Sequence, residues 1–315
     1  MDPLQKSRIG RTEVSVTTLG LGCSGLARSD STEQARMTYK TAIQQGINYV
    51  DTAPLYGRGK SEERLGAAIS KYGRKNIIIS TKVGRILRKK DDTKNEIEAL
   101  YDYGGKAIRN SLESSLDRLG VESVDILYIH DADNHYEQAI NEAYPALAEL
   151  RDDGVIKAIG AGMNQWEMEL RFAQEGDFDC FLLAGRYTLL EQGALSDFLP
   201  YCAKNDISVV IGGPYNSGVL ANPSKGRYNY SKSPSEVISK TLKIKDVCDK
   251  YEVPLRAAAL QFVTAHPAVA SVIPGTKSPE HQLNNHLMMN HLIPNELWGE
   301  LKEKNLIHED APTPN

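Results

Sequence analysis

Apolar residues in this chain come in short runs, separated by longer stretches where they recur every three or four positions. The runs are VTTLGLG (16–22), INYVD (47–51), NIIISTK (76–82), VDILYIH (124–130), IKAIGAG (156–162), CFLLAG (180–185), ISVVIGG (207–213) and ASVIPG (270–275). Several are apolar at successive rather than alternate positions, as strands buried on both faces are. Helical spacing covers 31–45, 61–72, 106–119, 137–152, 166–175, 194–205, 235–251 with 255–265, and 279–287. Ser31 and Gln34 are spaced as a capping pair. Gly46, Gly73, Gly120, Gly154 and Gly176 fall at helix ends, where a left-handed residue is expected.

Strand and helix alternating eight times call for right-handed crossovers and a parallel sheet. Eight such units in this length fit a closed (β/α)₈ TIM barrel better than an open doubly wound sheet. SRIGRTEVSV, before the first run, predicts a β-hairpin capping the barrel floor. The stretch 222–235 reads as a long loop, and the tail after Asn295 as one more amphipathic helix with a Pro-rich end. The expectation is a single domain over residues 1–315.

Composition removes several partners. Lys+Arg 37 against Asp+Glu 41 gives a formal net charge of -4 without a long run of one sign. That argues against nucleic acid and against a charged membrane surface. No 18 apolar residues follow one another, and the N-terminus lacks an apolar signal core. The four cysteines are scattered, and the seven histidines form no metal-binding spacing. The reading is a reduced, cytoplasmic protein without a metal, either monomeric or a small homo-oligomer. GKS at 59–61 lacks the glycine of a phosphate loop, and Gly20, Gly22 and Gly25 miss the dinucleotide fingerprint of an open sheet.

The candidate chemistry sits at strand ends. In a parallel barrel these converge on one face, and the second, third and fourth runs end in Asp51, Lys82 and His130. Tyr56 follows Asp51 by five residues and reaches the same mouth. Buried charges are tolerable when paired, so Asp51 and Lys82 are expected to meet. A lysine beside a phenol lowers its pKa, which would make Tyr56 a general acid/base, with His130 donating to a substrate oxygen. Such a site suits carbonyl–alcohol interconversion if something else carries the hydride. Cys23, at the mouth after the first run, reads as a small lining residue on the cofactor side, not a nucleophile.

DTAPLYGRGKSEERLG (51–66), STKVG (80–84), DILYIHD (125–131) and IGAGMNQWE (159–167) resemble the aldo-keto reductase family, in order, along nearly the whole chain. The resemblance implies a barrel that binds an extended nicotinamide dinucleotide, with Asp51, Tyr56, Lys82 and His130 as its catalytic tetrad. It implies that Asn164 holds the nicotinamide carboxamide, and that Pro214, Asn216, Ser217 and Gly218 lie along the pyrophosphate. It places Gly275, Thr276, Ser278, Gln282 and Asn285 at the adenosine end. LAGRYTLLEQ (183–192) and GGPYNSGVL (212–220) are similar to the branch of aldose, L-galactose, L-fucose and D-arabinose 1-dehydrogenases, with pyridoxal 4-dehydrogenases. That branch implies oxidation of a sugar's anomeric hydroxyl to a lactone.

Three departures from the family pattern bear on the cofactor. Gly212-Gly213 replace the aromatic that stacks on the nicotinamide, so the stacking comes from elsewhere, with Tyr187 or Tyr215 as candidates, or is absent. Met163 replaces a serine beside Asn164. Gly275 and His281 replace two cations that pair a 2′-phosphate, which favours NAD while admitting NADP. The competing readings are an NADPH-dependent aldehyde, ketone or pyridoxal-type enzyme, and a regulatory subunit of the same fold with weak turnover.

Overall fold

The computed structural model describes residues 1–91 and 94–314. Eight parallel strands form its centre: β1 Leu21–Gly22, β2 Tyr49–Asp51, β3 Ile78–Val83, β4 Ile126–His130, β5 Ala158–Met163, β6 Cys180–Ala184, β7 Ser208–Gly212 and β8 Val269–Ile273. Each pairs with its neighbours in sequence order. The ends meet through parallel bridges Leu19–Val272 and Gly22–Gly275, and Gly20 N donates to Val272 O at 2.9 Å. The sheet is therefore a barrel, with each predicted run within a few residues of its strand.

Outside it lie α1 Thr32–Gln44, α2 Lys60–Tyr72, α3 Gly105–Leu119, α4 at 136–152, α5 Trp166–Glu175, α6 Phe198–Lys204, α7 Ser235–Lys250, α8 Leu255–Val263, α9 Pro279–Asn290 and α10 Asn295–Glu303. α4 has a π turn at Ala139–Ala143. Ser31 Oγ accepts from Gln34 N at 3.1 Å, and Gln34 Oε1 in turn accepts from Asp30 N at 2.7 Å, so the expected cap forms at this helix start. Gly46, Gly73, Gly120 and Gly154 have positive φ, as their places predict. Gly176 does not: its φ of -131° is extended, because the chain leaves α5 directly towards β6.

A floor hairpin, Lys6–Arg8 with Ser15–Thr17, sends Ile9, Val14 and Val16 into the barrel's lower end. There they join Tyr49, Ile126, Tyr128, Cys180 and Leu182, while the larger apolar core lies between strands and helices. A second hairpin, Arg85–Asp91 with Lys94–Tyr101, rises from the mouth after β3. The run patterns did not predict it. Within the loop 222–235, Arg227–Tyr228 pairs with Ser231–Lys232. Among the described residues no helix is long and apolar enough to cross a membrane.

Candidate active site

Register explains why polar side chains meet inside an apolar barrel. Asp51 pairs with Ser80, Lys82 with Tyr128, and His130 with Gly162. Side chains alternate along a strand, so Tyr49 and Asp51, Ser80 and Lys82, and Tyr128 and His130 all face inward. In each pair the lower residue is neutral and the upper one is charged or titratable.

The lower residues form a hydrogen-bonded chain. Cys180 Sγ donates to Tyr128 Oη at 3.5 Å, Tyr128 Oη lies 3.2 Å from Tyr49 Oη, and Tyr49 Oη lies 3.0 Å from Ser80 Oγ. Ser80 Oγ donates to Asp51 Oδ1 at 2.7 Å. Above this chain, Lys82 Nζ donates to both Asp51 oxygens at 2.7 Å and to Thr52 O at 2.9 Å. Lys82 is 1% exposed and Asp51 2%. Desolvation pushes the Asp51 carboxyl above its ordinary range, and Lys82 opposes that push.

Tyr56 sits on the turn between β2 and α2, where Gly57 and Gly59 take φ of 64° and 90° and swing the ring back over the mouth. Lys82 Nζ lies 4.9 Å from its ring centre. The His130 ring stands edge-on, 6.0 Å away. One expectation is corrected here: burial, then the Asp51 charge, raise the Tyr56 phenol well above its ordinary value. Burial and the neighbouring cations Lys82 and Arg85 drive His130 far below its usual range, so the imidazole is neutral.

Tyr56, Lys82, His130, Asp131, Asn164 and Tyr230 line one cavity of about 240 Å³, closed on its other sides by Met163, Leu182 and Ala184 among others. A larger cleft of about 380 Å³, between α3 and the mouth hairpin, contains none of the four tetrad residues. Asn164 Nδ2 donates to Ala184 O at 2.6 Å and to Tyr230 Oη at 3.4 Å.

The other expected cofactor residues fall into two groups. Many are engaged in the fold. Cys23 is fully buried, its thiol pushed up by burial, and its carbonyl accepts from Ser61. Asn216 is buried, donating to Gly185 O and accepting from Thr188. Ser278 caps α9 through His281 N. Asn285 bonds Thr276, Tyr215 and Arg256. Pro214 is buried beside them. The second group faces outward or is unsatisfied. Ser217 and Gly218 have φ of 58° and 110° on the loop after β7, and Gly275 is exposed beside Ser24. Among the described residues Gln282 Oε1 is buried without a hydrogen-bond partner, an acceptor suited to a ligand's amino group.

Neither expected stacking aromatic reaches the cavity. Tyr187 is fully buried against Phe262 and His266, and Tyr215 bonds Asn285 at the opposite end. Besides Tyr56 and His130, the ring that lines it is that of Tyr230. Sequence reasoning also passed over Arg256, whose guanidinium lies over Tyr215 and, with Lys277, depresses His281 further after burial. It missed Glu169 as well, which is fully buried, accepts from Met163 N at 3.2 Å and is pushed well up by desolvation. A lone Glu or Arg on an amphipathic helix carries no signal that it points inward.

The profile described as "Aldo/keto reductase family" matches residues 18–306. The chain is 37% identical to a pyridoxal 4-dehydrogenase of Microbacterium luteolum, covering 96% of this chain and 98% of that protein. It is 38% identical to a D-threo-aldose 1-dehydrogenase of a Pseudomonas species, covering 96% of each. Among solved structures, the holo form of an aldo-keto reductase from Bacillus halodurans superposes with a TM-score of 0.81, at 24% identity, over 98% of this chain and 99% of that one.

Proposed function

The chain belongs to the aldo/keto reductase family and is an NAD(P)-dependent oxidoreductase; on that premise we propose that it oxidises the anomeric hydroxyl of an aldose of the L-fucose, L-galactose or D-arabinose type, with Tyr56 as acid/base. The observation that carries this is the buried Asp51–Lys82 pair set beneath Tyr56 and neutral His130 in one cavity. Exposed Ser217 after β7, the exposed Gly275 and Gln282 Oε1, unpartnered among the described residues, fit an extended dinucleotide laid from the cavity towards α9. A bound nicotinamide would supply the hydride-accepting chemistry that the sugar carbon requires.

The protein's part is proton handling and orientation. His130 Nε2 faces the cavity and donates to the substrate oxygen, fixing it beside Tyr56. The Tyr56 phenol gives up its proton in reduction; in oxidation its phenolate receives the hydroxyl proton. Lys82, fixed by three hydrogen bonds, supplies a stationary positive charge to that phenolate. The lost 2′-phosphate cations at Gly275 and His281 support NAD, with Lys277 and Arg256 as the groups through which NADP would be held.

The test follows cofactor absorbance with a panel of aldoses, simple aldehydes and pyridoxal, using NAD⁺ and NADP⁺ separately. Aldose oxidation is expected, preferring NAD⁺, and Tyr56→Phe should lower kcat by about 10²–10⁴. Turnover confined to pyridoxal would replace the sugar reading. Cofactor binding without turnover of any member of the panel would favour a regulatory role.

A further inference from the structure

Asp131 follows His130 directly, yet the acid/base roles above require no carboxylate there. Its backbone lies in the left-handed region at φ 50° and is held from several sides. Asp131 N donates to Gly162 O at 3.0 Å, and Tyr103 Oη reaches the carbonyls of His130 and Asp131 at 2.7 and 2.8 Å. Its carboxylate is also oriented. Arg85 Nη1, at the root of the mouth hairpin, donates to Oδ2 at 2.7 Å. The Arg85 guanidinium is fixed in turn 4.2 Å over the Tyr101 ring, which stacks on His135 at 4.8 Å. Oδ2 lies 3.7 Å from His130 Nε2, the atom that would face the reacting oxygen. Among the described residues Oδ1 accepts no hydrogen bond, and the side chain, 29% exposed, lines the cavity.

We propose that Asp131, aimed by Arg85, selects the substrate by accepting a hydrogen bond from the hydroxyl on the carbon next to the reacting one. This rests on the anomeric-oxidation reading and names the feature of the sugar that the site recognises. A carboxylate can only accept, so it rewards a neighbouring hydroxyl and leaves a neighbouring CH₂ facing an unpaired charge. An aromatic aldehyde carrying an adjacent oxyanion meets the same carboxylate and is repelled. Arg85 offsets part of that charge and keeps the group fixed.

The experiment compares oxidation of a 2-hydroxy aldose and its 2-deoxy counterpart by wild type, Asp131→Asn and Asp131→Ala. Wild type should favour the parent sugar by about ten- to hundredfold in kcat/KM, the range of a hydrogen bond to a charged group. Asp131→Ala should remove most of that ratio, by slowing the parent sugar while the 2-deoxy sugar is unchanged or faster. Asp131→Asn, which tolerates the left-handed backbone, should fall between and guards against misfolding as the cause. Equal slowing of both sugars, or a wild type indifferent to the 2-hydroxyl, would overturn the inference while leaving the function intact. A wild type that oxidises neither sugar but reduces simple aldehydes would defeat the functional reading itself, and this inference with it.

Discussion

Asp51 and Lys82 are shielded so fully that neither is tolerable alone. Desolvation of one ion costs several kcal/mol, and the pair offsets it only through close contact and the additional bonds from Ser80 and to Thr52. Lys82→Met should therefore cost about 3–5 kcal/mol, because it leaves a buried carboxylate unpaired; chemical denaturation measures the loss. The direction of the Tyr56 shift sets a second expectation. Burial and Asp51 raise its pKa, so the protonated form dominates through neutral pH. Reduction needs that form and should be level across the neutral range. Oxidation needs the phenolate and should rise about tenfold per pH unit as long as the group stays mostly protonated. Paired pH–rate profiles decide this, and a flat oxidative limb would count against Tyr56 as the base. At this scale the sequence revealed the strand-end residues, because a charge closing an apolar run is conspicuous. It did not reveal that Asn216, Ser278 and Asn285 satisfy neighbouring elements, since an amide or hydroxyl reads alike whether it holds a ligand or a loop.

Each strand was legible because burial on both faces leaves an unbroken apolar run. The mouth hairpin was not, because RILRKKD and KNEIEALY pair with each other and neither carries the unbroken apolar run of a buried strand. Its root nevertheless positions Arg85 at the cavity. β5 shows how one element governs its neighbours' polar chain. A Cβ on Gly160 would lie 2.4 Å from Cys180 O and 2.6 Å from the Tyr128 ring. Gly160→Ala should push Tyr128 away from Tyr49 and Cys180 and cost about 1–3 kcal/mol. A thermal melt would show the loss, and activity should fall with it, because Tyr49 and Ser80 brace Asp51.

The molecule gathers its cavity from loops and strand ends spread from Leu55 to Tyr230, and only the closed circle of strands puts them on one rim. The alternation of elements made that circle legible; the path of the loop that brings Tyr230 over Asn164 was not, since polar loop residues lack periodicity. The seam between β1 and β8 also has a temporal side. Leu19 bridges Val272 there, and beside it Ser271 Oγ donates across 254 residues to Thr17 O of the floor hairpin; β8 is the last strand made. Contacts so distant in sequence form slowly, because their loop-closure entropy is met only once most of the chain exists. During synthesis Asp51, Lys82 and His130 are present long before the barrel can close around them, with β1 and β7 as open edges. A chain ending after residue 268 should therefore hold the tetrad yet melt without cooperativity and associate through those edges, which sedimentation beside the full chain would detect. The final strand thus acts as a clasp that times the emergence of the enzyme.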